Sequence, residues 1–274
     1  MKKLKIYCTS IKHLNILDKL PHYIKPLGLG SNKFPHNWSV ETHGENISIL
    51  NKFYGELSGF YWMWKNGIKD LKKNDLIGFC HYRKLWLNDI FLKKQKYSTQ
   101  SLYSNLLDAK NTILEKNEVI QIQPIYVKKR NLFEEFYDVH KNDSLKQSVN
   151  FLDKKYRIKF QEHLEGNELF GLNMFISSKY IFEEYCNILF PWMESCNKYC
   201  KDNNLLEGYN VRLPAFLAER FTSFWFNQYK NKACLSYAKL GKLFLSNNVN
   251  KIINPIKIPF TFRMYPTTHR YLEY

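Results

Sequence analysis

The chain has 274 residues, 45% of them hydrophobic and 16% aromatic, so it is long enough to bury a sizeable core. Its 41 basic and 25 acidic residues give a formal charge of +16, which predicts anionic partners or a lysine-rich solvated surface. The chain contains no apolar run of membrane-spanning length, no signal-peptide core behind the basic start, and no CxxC pair among six cysteines. These features predict one reduced, cytoplasmic domain and exclude disulfide-based and zinc-ribbon classes.

Strand-like and helix-like segments alternate along the chain. The predicted strands are 4–8, 76–80, 119–127 with a break at Pro124, and 172–176. The predicted helices are 54–66, 99–117, 142–155, one that follows the last strand and is interrupted at Pro191, and 214–229. Residues 10–44 are rich in Pro and Gly and are predicted as loop. The alternation predicts an α/β fold with a mainly parallel sheet.

The second predicted strand stops at His81-Tyr82-Arg83. Ligands of α/β sheets bind beyond the carboxyl ends of the strands. An arginine suits phosphate there because its planar fork makes bidentate hydrogen bonds. We therefore predict that Arg83 and His81, with Tyr82 beside them, bind an anionic ligand; the alternative is a surface arginine and a packed histidine.

Several motifs occur together in one order: GENIS and YGELSGFYWMWKN within 44–66, IGFCHYR at 77–83, NMFI at 173–176 and FLAERFTSFW at 216–225. A weaker motif, PHYIKPLGLGS, precedes them at 21–31. In this order they resemble the bacterial capsule and O-antigen glycosyltransferase family that includes β-galactofuranosyltransferase domains. The resemblance covers most of the chain.

The resemblance implies a GT-A-like fold: a mixed, mainly parallel sheet flanked by helices in a single domain, with a catalytic domain at 1–249 and a basic, aromatic extension at 250–274. It implies a UDP-sugar donor, most simply UDP-galactofuranose, a glycan acceptor in capsule or lipopolysaccharide O-antigen synthesis, and an inverting reaction. Many GT-A enzymes hold a metal with Asp-x-Asp, which is absent from this sequence. We therefore expect no required cofactor, with Mn or Mg as the alternative, and diphosphate binding by His81 and Arg83.

Two helices carry charged residues among apolar ones. Arg220 falls in the apolar stripe of the helix at 214–229, so its guanidinium needs a partner: an internal carboxylate such as Glu56, or a ligand phosphate. Glu56 is itself a partner for Arg83 or Arg220, or a general base. Glu219 points to a different face and is a candidate catalytic base.

His140 and Asp143 are three residues apart, so the aspartate could orient the histidine for proton abstraction. The resemblance implies a His and an Asp in this region, whereas the alternative role of Asp143 is to cap a helix. Asp138 with His140 offers two metal ligands, too few for a site. Asn173 and Asn46 are predicted to bind the donor through their amides, or else to satisfy nearby backbone.

The predicted partners are the UDP-sugar, a lipid-linked or oligosaccharide acceptor, and the anionic inner face of the plasma membrane, contacted peripherally by 250–274. Nucleic acid is not expected, because no recognised motif occurs and the basic residues are spread along the chain. Two alternatives stay open. One is a non-enzymatic, basic nucleic-acid-binding protein, and the other is a retaining or pyranosyl transferase on the same fold.

Overall fold

The computed structural model describes residues 2–88, 96–97, 99–240 and 256–257. The strands in chain order are β1 Leu4–Ser10, β2 Ile24–Gly28, β3 Ser39–Val40, β4 Leu76–His81, β5 Lys84–Trp86, β6 Lys96–Tyr97, β7 Val119–Ile122, β8 Ile125–Tyr126, β9 Glu168–Leu169, β10 Phe175–Ser178, β11 Lys232–Leu235, β12 Tyr237–Lys239 and β13 Ile256–Lys257. The α-helices are α1 Asn51–Tyr54, α2 Leu57–Trp62, α3 Thr99–Ser104, α4 Thr112–Lys116, α5 Leu132–His140, α6 Ser144–Val149, α7 Lys154–Glu165, α8 Lys179–Asp202 and α9 Leu213–Asn227. Short 3₁₀ turns lie at Leu17–Lys19, Ser48–Leu50 and Gly208–Arg212, and a π-helical turn at Met63–Gly67.

Nine of the described strands form one sheet, whose main path runs β11-β7-β10-β4-β1-β2-β3. β1 pairs in parallel with β2 and β4, and β11 pairs in parallel with β7, whereas β10 is antiparallel to both of its neighbours. Six of the seven strands on this path therefore run in one direction. With helices on both faces, this is the mixed, mainly parallel GT-A-like sheet that the sequence predicted.

Both faces of the central strands are buried, which explains their continuous apolar runs. On β4, Ile77 and Phe79 join the core beneath α2, α8 and α9, where the Phe60 ring meets Phe79 edge-on at 4.2 Å. Leu76 and Cys80 point to the other face and pack with residues from α3 and α4. The period-two alternation of a strand thus divides one apolar sequence between two cores.

Three predicted helices are broken in the structure. The first divides at Gly55 into α1 and α2 and then passes into the π-helical turn. The segment 99–117 forms α3 and α4, because the Asn111 side chain accepts from the Ile113 amide and starts a new helix. The segment 142–155 contains α6 and the start of α7. Local caps, which helical periodicity does not reveal, explain the second of these breaks.

Pro191 does not end α8, contrary to the prediction. A proline inside a helix removes one backbone hydrogen bond and costs about 3 kcal/mol. On this helix Cys186, Leu189, Trp192 and Met193 are all buried on both sides of the proline. Their burial offsets the lost bond, since an apolar side chain contributes about 1.5–3 kcal/mol when fully buried.

The strand predictions hold for β1, β4 and the break at Pro124. The strands that were not predicted are β2, β3, β5, β6, β9, β11, β12 and β13. β10 begins at Phe175 rather than at 172, because Leu172 and Asn173 are left-handed. The domain boundary at 249 and nearly all of the extension at 250–274 lie outside the described residues. Within the part that is described, we find no helix with the length and apolarity needed to cross a membrane.

Candidate active site

The predicted ligand-binding tripeptide forms a hairpin turn at the end of β4. Tyr82 and Arg83 make the turn, and Lys84 pairs back against His81. The Tyr82 amide donates to the Thr9 carbonyl at 2.9 Å, which joins the turn to the end of β1. The Arg83 guanidinium lies 5.1 Å from the centre of the Tyr82 ring. The three residues therefore lie at the carboxyl edge of two parallel strands, as predicted, and the chain reverses there.

Asn173 belongs to a left-handed loop that faces this hairpin. Leu172 has φ 71° and Asn173 has φ 51°, a conformation that costs about 1–3 kcal/mol for a residue with a side chain. The Leu172 carbonyl accepts from His81 Nε2 at 2.6 Å, and the Leu172 amide donates to Glu219 at 2.6 Å. The side-chain amide of Asn173 donates through Nδ2 to Glu56 at 3.0 Å. Three side chains from separate elements thus hold the strained loop.

His81 is neutral at physiological pH. Burial, together with the charges of Lys84 and Arg83, lowers the pKa of His81 from 6.5 to about 4, although Glu56 and the hydrogen bond to Leu172 oppose this shift. Because a carbonyl oxygen only accepts, Nε2 carries the proton and Nδ1 is the unprotonated nitrogen. The contact that His81 makes positions the Leu172 carbonyl, and its role at a diphosphate stays a prediction.

Glu56 links the loop to a cation. One carboxylate oxygen accepts from Asn173, and the other accepts from Arg212 Nη2 at 3.1 Å. Burial alone raises the pKa of Glu56, but His81, Arg212 and the Asn173 hydrogen bond outweigh burial and leave the pKa lowered. Glu56 is therefore an ionised carboxylate paired with a cation, and that cation is Arg212 instead of the expected Arg83 or Arg220.

Arg212 and Lys84 are site residues that the sequence reasoning missed. The Arg212 side chain keeps 42% of its exposure while it contacts Glu56. Burial, and then the charge of Arg83, lower the pKa of Lys84 from 10.5 to about 8, although Glu219 and Glu56 oppose this shift. In a chain with 41 basic residues, neither position stands out by residue type. The signal for Lys84 was its place directly after the tripeptide.

Arg220 lies beneath the loop in a buried ion-pair network. Its guanidinium is 1% exposed and donates to Glu135 at 2.6 Å and to Glu219 at 3.0 Å. The internal ion pair considered from the sequence is therefore present, with Glu135 and Glu219 in place of Glu56. Because Glu219 also accepts from Leu172, both of its oxygens are engaged, and Arg220 supports the site through Glu219 instead of facing a ligand.

His140 is oriented by Asn210. Its Nδ1 lies 2.8 Å from Asn210 Oδ1, and its ring stacks on Tyr209. Burial, followed by the charge of Arg220, lowers the pKa of His140 to about 4. Asp143 is exposed at the N-cap position of α6 and makes no side-chain bond to the α6 backbone. A base role for His140, Asp143 or Glu219 stays a prediction.

The amide of Asn46 is committed to its own loop. Nδ2 donates to the carbonyls of Gly44 at 2.8 Å and Thr42 at 3.3 Å, and Oδ1 accepts from the Ser48 amide and hydroxyl. The GENIS motif is anchored to the following helix as well, because the Tyr61 hydroxyl donates to Glu45 at 2.9 Å. In the structure Asn46 therefore bonds to nearby backbone groups, which was the alternative to donor binding.

The residues that the structure describes contain no cluster of three or more His, Cys, Asp or Glu suited to a metal ion. Asp138, considered with His140 as a ligand pair, instead forms surface ion pairs with Arg130 and Lys141. The expectation that no metal is required, with Mn or Mg as the alternative, stays a prediction.

Gly55 makes room for Arg212 at the break between α1 and α2. It has φ 54°, and a Cβ built there would lie 2.2 Å from Arg212 Nη2. We expect Gly55→Ala to displace the guanidinium from Glu56 and to lower the free energy of unfolding by about 1–3 kcal/mol. Gly30→Ala is the matched control, because Gly30 has φ 75° with no neighbouring atom within 4 Å of the added Cβ and lies outside the turn that carries Arg212. Equal losses in urea unfolding would contradict a role for the Arg212 contact.

Comparisons with known proteins identify a matching family and a solved structure with a similar fold. Residues 5–232 match the protein family described as "Domain of unknown function (DUF4422)". No curated protein matches the chain. Among solved structures, the chain is similar to the apo structure of WbbM, a bifunctional glycosyltransferase, with a TM-score of 0.70 and 19% identity. The similarity covers 88% of this chain and 46% of WbbM, so the chain spans about half of that protein's length. Because the family match covers most of the chain and every residue of the site above, this protein belongs to the DUF4422 family.

Proposed function

We propose that this protein is a glycosyltransferase that moves a sugar from a nucleotide-sugar donor to a glycan acceptor. The observation that carries the proposal is the fold similarity to WbbM over 88% of the chain. It is supported by the convergence of Glu56, His81 and Asn173 at the carboxyl edge of the sheet, where α/β proteins bind ligands. Arg83 is a cation in the same region, and its planar fork suits a diphosphate.

The donor in this proposal is a UDP-sugar, with galactofuranose or a relative as the sugar, and the acceptor is a lipid-linked or oligosaccharide glycan of capsule or O-antigen synthesis. These assignments come from the motif resemblance. In an inverting displacement, a base removes the proton of the acceptor hydroxyl while its oxygen bonds to the anomeric carbon. The bond from that carbon to the UDP oxygen breaks, and cations stabilise the departing diphosphate. An NMR assignment of the product anomer separates this reaction from a retaining or pyranosyl transfer.

Thermal unfolding with a nucleotide panel tests the donor. We expect one UDP-sugar to raise Tm in the presence of EDTA, and GDP-sugars and CMP-sugars to leave it unchanged, because binding to the folded state alone stabilises it. Arg83→Ala should weaken this stabilisation, while Arg130→Ala, which removes a surface arginine paired with Asp138, should not. Stabilisation only with Mn would keep the transferase and overturn metal independence. No shift with any nucleotide would favour the nucleic-acid-binding alternative.

We include in the proposal an acceptor presented at the anionic inner membrane surface, with 250–274 as the segment that contacts it. The support is the mixture of basic and aromatic residues in this segment. Co-sedimentation with vesicles containing an anionic phospholipid, before and after removal of 250–274, measures this contact. Unchanged sedimentation of the shortened chain would exclude the segment as the contact.

A further inference from the structure

The 3₁₀ turn Gly208–Arg212 lies beside the site and has no role in the donor chemistry above. One turn of a 3₁₀ helix contains three residues, so the side chains of residues i and i+3 lie on the same side. Tyr209 and Arg212 are related in this way. Because Arg212 reaches Glu56, Tyr209 shares the side of the turn that borders the site.

The Tyr209 ring is held by a stack of aromatic groups. It lies 5.0 Å from Phe216 with 24° between the planes, and 5.8 Å from His140 with 11° between the planes. His140 is in turn bonded to Asn210 at 2.8 Å, and Phe216 is on α9. Tyr209 is nevertheless 38% exposed. The stack therefore fixes the ring and leaves part of it open to solvent, and such a rigid ring loses little entropy on binding.

A fixed, partly exposed aromatic ring beside a guanidinium and a carboxylate suits a sugar. The C–H groups on one face of a sugar carry partial positive charge and meet the negative face of an aromatic ring. Hydroxyl groups donate to carboxylates and accept from guanidinium groups. Arg212 uses Nη2 on Glu56, and its Nε is buried and has no hydrogen-bond partner in the described part of the chain.

We propose that Tyr209 and Arg212 form a subsite for the acceptor saccharide, with the sugar ring on Tyr209 and its hydroxyls toward Arg212 and Glu56. The acceptor is favoured over the donor because Arg83 and Lys84, the cations that suit the diphosphate, lie in the hairpin after β4, whereas Tyr209 and Arg212 belong to a separate turn. This inference rests on the proposed glycosyltransferase function, since it assigns the second substrate of the same site.

Saturation-transfer NMR on the full chain tests the subsite with the methyl pyranosides and methyl furanosides of galactose, glucose and mannose as probes. We expect the wild type to bind at least one probe, and Tyr209→Ala to raise its Kd by about tenfold. Tyr209→Phe keeps the ring and should retain binding. Phe151→Ala is the matched control, because Phe151 is 36% exposed and packs on Tyr199 at 5.7 Å in another part of the protein. The shift in Tm caused by a UDP-sugar should be the same in all four proteins.

Three results overturn the subsite. The first is a Kd for Tyr209→Ala equal to that of the wild type. The second is a Tyr209→Ala protein that loses both saccharide binding and the UDP-sugar shift, which would place the ring in the donor site. The third is a wild type that a UDP-sugar stabilises but that binds none of the probes, which leaves the donor assignment intact. Tyr209-dependent saccharide binding with no nucleotide effect would support a saccharide site and overturn the transferase. Tyr209→Leu, with its fold checked by circular dichroism, replaces Tyr209→Ala if the latter does not fold.

Discussion

Arg220→Met should lower the free energy of unfolding by about 3–5 kcal/mol, because breaking a buried ion pair leaves uncompensated charge in the core. The guanidinium is 1% exposed and bonds to Glu135 and Glu219. Methionine fills much of the same space but leaves both carboxylates without a cation. Since Glu219 also accepts from the Leu172 amide, the left-handed loop should lose part of its support, and UDP-sugar binding should weaken with it.

Arg130→Met is the matched control for this substitution. Arg130 pairs with one carboxylate, Asp138, but its side chain is 39% exposed, so its loss should cost no more than about 1 kcal/mol. Urea unfolding at pH 7 compares the two variants. Adding Glu135→Leu to Arg220→Met should recover part of the loss, because one of the two unpaired carboxylates is removed. A similar small loss for both single variants would show that the buried network contributes little to stability.

Acidification between pH 6.5 and 4 should destabilise the protein steeply. The pKa of His81, of His140 and of His163 is each lowered from 6.5 to about 4, mainly by burial. In this window the unfolded chain binds protons that the folded protein does not, so stability rises with pH. The free energy of unfolding has its full value above pH 6.5 and falls as the pH decreases toward 4. The slope of this fall corresponds to a difference in bound protons that approaches three. The cations that add to the shifts are Arg83 and Lys84 at His81, Arg220 at His140 and Lys232 at His163.

Urea unfolding at several pH values measures this slope. His140→Gln should reduce it by about one proton. His36→Gln is the control, because His36 is exposed in the loop before β3. His163 also contacts Ser223, which accepts from the Phe170 amide, so acid should loosen the segment that leads into the left-handed loop. A slope that is the same in wild type and His140→Gln would exclude His140 as one of the groups responsible.

The predicted sheet and the observed sheet agree where local pattern and burial agree. β4 is an apolar run as far as His81, and β1 is apolar from Leu4 to Cys8 apart from Lys5, as is typical of parallel strands covered on both faces. β2 contains Pro26 and has one exposed position, so its local pattern resembles a loop; its pairing with β1 supplies the hydrogen bonds that define it. Periodicity did not predict the break within the helix at 99–117 for a related reason. A cap such as Asn111 is a single side-chain contact, which leaves no periodic pattern in the sequence.

The sequence places His81 and Asn173 near strand ends, and in the structure His81 contacts the carbonyl of Leu172, the residue before Asn173. Asn173 in turn donates to Glu56. Sequence spacing did not predict the partners of the charged residues. Glu56 pairs with Arg212, which is 156 residues away in the chain, and Arg220 pairs with Glu135, which is 85 residues away. No local spacing connects such residues.

Sequence alone determined the alternation of apolar strands and helices, the basic charge and the place where the second buried strand ends. These features depend on residue type and on spacing within one element, which periodicity reports directly. Only the tertiary structure decided which cation faces which carboxylate, and that the Arg212 guanidinium occupies the space beside Gly55. The strength of an ion pair depends on the distance between the charges and on how far each is removed from water, and both quantities exist only once the chain has folded.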